Sequence, residues 1–236
     1  MSTSTYIGTE LDVFAHATNW KGYLREVVAP YLRGRVLEVG AGIGTTTCAF
    51  RSPHQTSWTA LEPDPELAAR LAARVATLGQ PVNIVIGTVS ALREAPIFDC
   101  IIYIDVLEHI EDDAGELQRA AARLAPGGVI VVLSPAHQSL YTPFDAAIGH
   151  FRRYDRRSLE AVGPKRTRLT KIAYLDSAGL CLSLGNRLLL RSASPTLSQI
   201  MVWDRWVIPV SRRLDGVLAG RVGKSILAVW RRDPAA

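Results

Sequence analysis

The sequence predicts a doubly wound α/β domain whose parallel sheet is covered on both faces. Three observations lead there. Short β-branched runs are apolar throughout instead of alternating, so both of their faces need cover. Segments of helical period separate those runs. A glycine-rich turn, Gly40-Ala41-Gly42-Ile43-Gly44, directly follows the first run, at the kind of strand-to-helix junction where open α/β sheets bind ligands. With 236 residues, 48% of them apolar and 21% charged, the chain has the length of one domain with an elaborated part.

The elements follow in order. From Glu10 to Tyr31 apolar residues recur at helical spacing and stop near Pro30, predicting one or two opening helices. The runs RVLEV (35–39), TSWTAL (56–61), VNIVI (82–86), FDCIIYI (98–104) and GVIVVL (128–133) predict five strands, with helices near 44–51, 65–78 and 112–125. Asp64 before Pro65 reads as a helix cap with proline in the first turn. Pro126-Gly127-Gly128 reads as a helix stop ahead of the next strand. RTRLTKIAYL (166–175) and KSILAVWRR (224–232) predict two more strands. The mostly helical, tryptophan-containing stretch between them is too long for a hairpin loop.

Charge is divided unevenly. Residues 1–150 hold 10 Lys/Arg and 16 Asp/Glu, residues 151–236 hold 17 and 6, so a −6 part precedes a +11 part. A basic C-terminal part could attract an anionic substrate, acidic lipid heads or nucleic acid, or be a solvated arginine-rich surface. Cys48, Cys100 and Cys181 are odd in number and widely spaced, fitting neither a disulfide framework nor a zinc pattern, so no metal is expected. A reducing cytoplasm is the simple reading. The N-terminus lacks a secretory pattern, and Asp176, Asn186 and Arg187 interrupt the most apolar long window.

The glycine turn is not a dinucleotide fingerprint, because Thr45 stands where G-x-G-x-x-G needs its third glycine. Nor is Gly223-Lys224-Ser225 a phosphate loop, since Leu218 replaces the first glycine. Glu38, two residues before the turn, would repel a pyrophosphate but could accept hydrogen bonds from a positively charged ligand.

On these residues the sequence resembles the class I S-adenosylmethionine-dependent methyltransferases, small-molecule type. VLEVGAGIG is similar to their E/D-x-G-x-G-x-G motif, Glu62 in ALEPD to the ribose-binding acid, and FDCIIYIDVLEHIEDD and LAPGGVIVVLSP to the fourth-strand and fifth-strand motifs. The resemblance implies a Rossmann-like seven-stranded sheet, mostly parallel with an antiparallel last strand, and S-adenosylmethionine as cofactor with S-adenosylhomocysteine as product. It also implies one methyltransferase domain over 1–236: a helical cap (1–34), a cofactor-binding core (35–175), a helical lid (176–222) and the last strand (223–232). Glu38 with Gly40, Ala41, Gly42 and Gly44 would hold the methionine end, Glu62 and Pro63 the ribose, and Asp105 with Val106 the sulfonium side. Where relatives carry Gly-Asp after the third strand, this chain has Gly87-Thr88, so adenine contact would fall to Thr88 or the Val89 backbone.

HQSLYTPFDAAIGHFRRYDRRSL (137–159) resembles a subgroup related to the ubiquinone and menaquinone biosynthesis methyltransferases. It makes His150, His137 and Tyr154 candidates for proton transfer, and Tyr141, Arg152 and Arg153 candidates for the acceptor. His109 reads as packing or capping. Tyr6, Trp20 and Tyr23 of the opening helix would close over the site. Leu188, Leu189, Leu190, Trp203, Trp206 and Val207 would either roof an apolar acceptor or simply form core. The expected reaction is methylation of a small apolar, anionic acceptor, on oxygen in preference to carbon or nitrogen, in specialised metabolite, quinone or lipid biosynthesis. Peripheral membrane contact fits such an acceptor, and specific nucleic-acid binding is not expected. The rivals are a cofactor-binding but non-methylating catalyst, an RNA methyltransferase and, disfavoured by Thr45 and Glu38, an NAD(P)-dependent oxidoreductase.

Overall fold

The structure is a computed structural model and describes residues 10–189 and 196–234. Two short helices, α1 (Glu10–Ala15) and α2 (Thr18–Val28), open the chain. Strands β1 (Gly34–Val39), β2 (Gln55–Glu62), β3 (Asn83–Ile86), β4 (Phe98–Ile104) and β5 (Leu124–Pro135) then alternate with helices. Those helices are α3 (Thr45–Phe50), α4 (Pro65–Val75) and α5 (Asp113–Ala122). After β5 come α6 (Pro143–Ala147), α7 (Arg156–Ala161) and β6 (Thr167–Leu175). The insert holds α8 (Ser177–Leu189), α9 (Leu197–Val202), a π-helical turn (Trp203–Val207) and α10 (Ile208–Val217), and β7 (Ser225–Arg232) closes the fold.

The seven strands form one sheet in the order β3-β2-β1-β4-β5-β7-β6. Only β7 runs antiparallel to its neighbours, β5 and β6, the arrangement the resemblance implied. Each central strand is apolar on both sides because each side meets a separate layer. Val36, Cys100, Ile102, Val131 and Val229 pack with Trp20, Leu24, Phe50 and Ile208 on one face. Leu37, Ile101, Tyr103, Val132 and Trp230 pack with Leu107, Leu117 and Leu159 on the other. The strand order reverses between β1 and β4, so the turns after these two strands lie side by side and open a crevice.

Asp64 caps α4 as expected, accepting from the backbone N–H groups of Glu66 (2.8 Å) and Leu67 (3.2 Å). The Pro126-Gly127-Gly128 expectation needs correction. Helix α5 ends at Ala122, and Leu124 already pairs with Phe98, so residues 125–128 bulge out within β5 before pairing resumes at Cys100 and Val129. Gly127, at φ 75°, supplies the left-handed turn of that bulge. Among the described residues no helix is long and apolar enough to cross a membrane. The expectations for Tyr6 and Leu190, and for the side chains of Leu188 and Leu189, lie outside the described residues.

Candidate active site

A cleft of about 1880 Å³ lies over the β1/β4 switch point. Its floor begins at the glycine turn. Gly40 has φ 67°, and a Cβ there would stand 2.7 Å from Val106 Cγ2, so only glycine lets the two turns meet. Gly42 faces the cleft, and its N–H donates to Glu62 Oε2 (2.7 Å) while Asp64 N–H donates to Glu62 Oε1 (3.0 Å). Two backbone donors thus aim the Glu62 carboxylate, with lone pairs left to accept from a vicinal diol. Burial raises its pKa above the ordinary carboxylate value and the two bonds oppose the rise. Pro63, Thr88 and Val106 line the same end.

Asp105 sits at φ 54°, a conformation that non-glycine residues rarely adopt. It lies deep in the cleft with its surface open to it. Desolvation pushes its carboxyl up to about 6, against the pull of His150, Lys224 and Lys21. A floor carrying Glu62 and Asp105, with an open glycine backbone between, fits a cofactor that bears sulfonium and ammonium charges; a pyrophosphate would meet carboxylates.

Two cofactor-end expectations change in detail. Glu38 stands behind the turn, 2% exposed, where Thr47 Oγ1 (2.6 Å) and Trp58 Nε1 (2.9 Å) both donate to its Oε2. It buttresses the turn and is not part of the cleft wall. Burial pushes its carboxyl up to about 7, opposed by those two bonds. Gly44, at φ 79°, packs toward Leu71 instead of the cleft. Val89 has its side chain in the core, which leaves its backbone as the group it could offer, and its neighbour Ser90 lines the cleft. Ala41 does line it, held by its N–H to Leu61 O (3.0 Å).

The other end of the cleft, where the sequence places the acceptor candidates, is built by the segment after β5. Asp145 anchors it: its carboxylate accepts from Thr142 N and Oγ1 (both 2.8 Å) and from Arg153 Nε (2.8 Å) and Nη2 (2.9 Å), and contacts His150 Nδ1 (2.9 Å). These donors hold the Asp145 carboxyl well below the usual range despite burial. His150, Tyr141 and Arg153 line the cleft, with Tyr141 Oη donating to His150 O (2.5 Å). Opposite them stand Phe14, Trp20, Ile200 and Trp203, with Lys224 Nζ 5.3 Å from the Trp203 ring. Burial pushes Lys21, also in the wall, down to about 8.

Other acceptor candidates lie elsewhere. Tyr154 is 1% exposed and donates to Asp113 Oδ2 (2.7 Å); burial first, and then this bond, push its pKa far up and hold its phenol proton. Arg152 binds the same carboxylate (2.6 Å) and Glu111 O (2.8 Å), on the side of the sheet opposite the roof. His137 stacks on Tyr174 at 5.0 Å with Nε2 2.9 Å from Gly223 O, outside the cleft wall. Tyr23 donates to Asp215 Oδ2 (2.8 Å) beneath the roof. These positions also account for part of the charge asymmetry, since basic residues of the second part bind acids and carbonyls of the first.

Sequence reasoning missed three groups. Glu108 is fully buried at the turn after β4, Lys224 enters from the end of the insert, and Asp145 looked like one more polar loop residue. The Thr142…Asp145 capping-box spacing was the available signal for the last. His109, read as packing, lies edge-to-face on His150 at 4.5 Å and lines the cleft, and burial pushes it down to about 4.

Residues 15–189 match the family model described as a methyltransferase domain. The chain belongs to that methyltransferase family. It is an S-adenosylmethionine-dependent methyltransferase that yields S-adenosylhomocysteine. Solved structures share its fold. An S-adenosylmethionine-dependent methyltransferase from Clostridium acetobutylicum has 11% identity and TM-score 0.58, covering 92% of each chain. A Haemonchus contortus phosphoethanolamine N-methyltransferase, in complex with phosphomonomethylethanolamine and S-adenosylhomocysteine, has 14% identity and TM-score 0.62, covering 95% of this chain and 58% of that one. The [4+2]-cyclase SpnF has 16% identity and TM-score 0.59, covering 90% and 81%. No protein of curated function matches the sequence.

Proposed function

We propose that this methyltransferase methylates an oxygen of a small, largely apolar acceptor carrying an anionic group, in specialised metabolite, quinone or lipid biosynthesis. The observation that carries this reading is the acceptor end itself, where Phe14, Trp20, Ile200 and Trp203 form an apolar wall into which Lys21 and Lys224 project. Half-exposed Leu182 and Val202 at the cleft rim suit a lipophilic acceptor, including one delivered from a membrane surface. The likeness of the 137–159 segment to the quinone-biosynthesis subgroup supports the same class.

Methyl transfer from a sulfonium is an in-line displacement, for which alignment and exclusion of water supply much of the acceleration. His150, fixed by Asp145 and lining the cleft, is placed to orient the acceptor.

The test is a panel of hydroxylated apolar acids and phosphates incubated with S-adenosylmethionine, read by product mass and by S-adenosylhomocysteine release. With an acceptor found, His150→Ala is expected to lower kcat about a hundredfold while cofactor Kd stays within about threefold. Equal loss of both makes His150 a structural residue.

A further inference from the structure

Glu108, His109 and His150 form a cluster in the cleft wall that methyl transfer from a sulfonium does not by itself require. We propose that they bind a divalent first-row transition-metal ion, with Zn2+ the best fit, at the acceptor end of the cleft. Residue spacing alone did not suggest such a site, because its donors come from two separate segments.

One ligand atom from each of the three residues lies within 4.8 Å of the others. A tetrahedral ion with bonds of about 2.0–2.1 Å holds its donors about 3.4 Å apart, so small rotations close the set. The second observation is independent of the first: Glu108 is fully buried, and neither carboxylate oxygen has a hydrogen-bond partner. Ser134 Oγ and the Glu108 backbone N–H lie close enough to favour its charged form, but neither makes a hydrogen bond of normal geometry to it. A buried carboxylate with both oxygens unsatisfied is costly unless a cation meets it. A proton would serve one oxygen and leave the convergence of two imidazoles unexplained. An imidazolium partner does not serve either, because His150 Nε2 stands 3.8 Å from Glu108 Oε1, beyond hydrogen-bond length.

The surroundings are those of an oriented ligand set. His150 Nδ1 contacts Asp145 Oδ1 at 2.9 Å, which turns Nε2 toward Glu108. A carboxylate behind a histidine in this way fixes the ring and its tautomer for metal binding. Asp145 is in turn held by Thr142 and Arg153. The His109 ring bonds to the Ile148 carbonyl, the other common support for a metal-bound imidazole. Phe151 N–H donates to Glu108 O (2.8 Å) and ties the two segments together. Two imidazoles and one carboxylate form a three-ligand set typical of catalytic zinc, with a fourth position open, here toward the cleft. Mg2+ and Ca2+ prefer all-oxygen sets. The open position suits an anionic or ionisable oxygen of the acceptor, but metal binding stands on its own geometry whatever the acceptor is.

The test uses the full chain stripped with chelator, titrated calorimetrically with Zn2+, Mn2+ and Mg2+, and in parallel with S-adenosylmethionine. About one equivalent of Zn2+ is expected with far weaker Mg2+ binding. Glu108→Gln and His150→Asn should each weaken Zn2+ roughly tenfold or more, with cofactor binding retained and Cys181→Ser without effect. A Co2+-loaded sample should show tetrahedral d–d absorption without a thiolate charge-transfer band. A chain that binds the cofactor but takes up no stoichiometric Zn2+ overturns the proposal. So does Zn2+ uptake that survives both ligand variants or disappears with Cys181. If Glu108→Gln fails to fold, His150→Asn, at the cleft wall, decides alone.

Discussion

The two ends of the cleft are built by different means. At the cofactor end the decisive contacts are short in sequence: Glu62 accepts from Gly42 and from Asp64, twenty and two residues away. At the roof they span most of the chain. The side chain of Asp204 accepts from Asn19 N (3.0 Å) and Trp20 N (2.8 Å), capping α2 from 185 residues away, because Ala17 at its start has no capping side chain. Asp215 accepts from Asp176 N (2.7 Å), Ser177 N (3.0 Å) and Tyr23 Oη (2.8 Å), and Asp176 accepts from Ser211 Oγ (2.6 Å) and Trp203 Nε1 (2.9 Å). Local backbone geometry thus shapes the glycine-turn end of the cleft, while buried aspartates tie the opening helices to the insert and close the other end, the one proposed for the acceptor.

Three substitutions test that division, the largest effect first. Glu62→Ala removes both the turn's brace and the diol acceptor, and calorimetry should show S-adenosylmethionine affinity falling by about 3 kcal/mol, roughly a hundredfold. Retained affinity in a folded variant would mean that the glycine backbone alone presents the cofactor. Asp204→Ala leaves the α2 N–H groups without their acceptor and should cost about 2 kcal/mol in denaturant unfolding. Cofactor Kd should stay within about threefold if the two ends are independent. A large loss of cofactor binding here would show that the two ends are coupled.

The smallest effect concerns Glu38, whose carboxyl burial pushes from the ordinary 4.5 to about 7. Between these values the folded state binds more protons than the unfolded one, so stability falls as pH rises through this window. The contribution is present below about pH 4.5 and lost above about 7, amounting to ~1–3 kcal/mol in the cofactor-free protein. Glu38→Gln should flatten that part of the stability profile between pH 5 and 8, measured by thermal unfolding. An unchanged slope would place the titration elsewhere, for instance at Asp105.

Much of the cofactor end was legible in the sequence because its contacts are made within a few residues of each strand end. VLEVGAGIG and ALEPD each carry their turn geometry and their acid together, so Gly40, Gly42 and Glu62 could be placed by spacing. Glu38 shows where that reading overreached: it is also adjacent to the turn, but its side chain points into protein. The 137–159 segment was harder. Four of its polar residues, His137, His150, Arg152 and Tyr154, looked equivalent, and only His150 reaches the cleft. Arg152 and Tyr154 instead share Asp113, a partner some forty residues earlier that no local pattern names.

The sequence by itself determined the strands, their alternation with helices and the glycine turn, because hydrophobic period and backbone conformation are properties of neighbouring residues. The tertiary structure alone decided which charges meet. It buried Glu108 against two histidines, sent Lys224 to the acceptor wall and used Asp204 to cap a distant helix. The reason is physical: the cost of burying an ionised group depends on what folds against it, and at these positions the chain brings that partner from another segment.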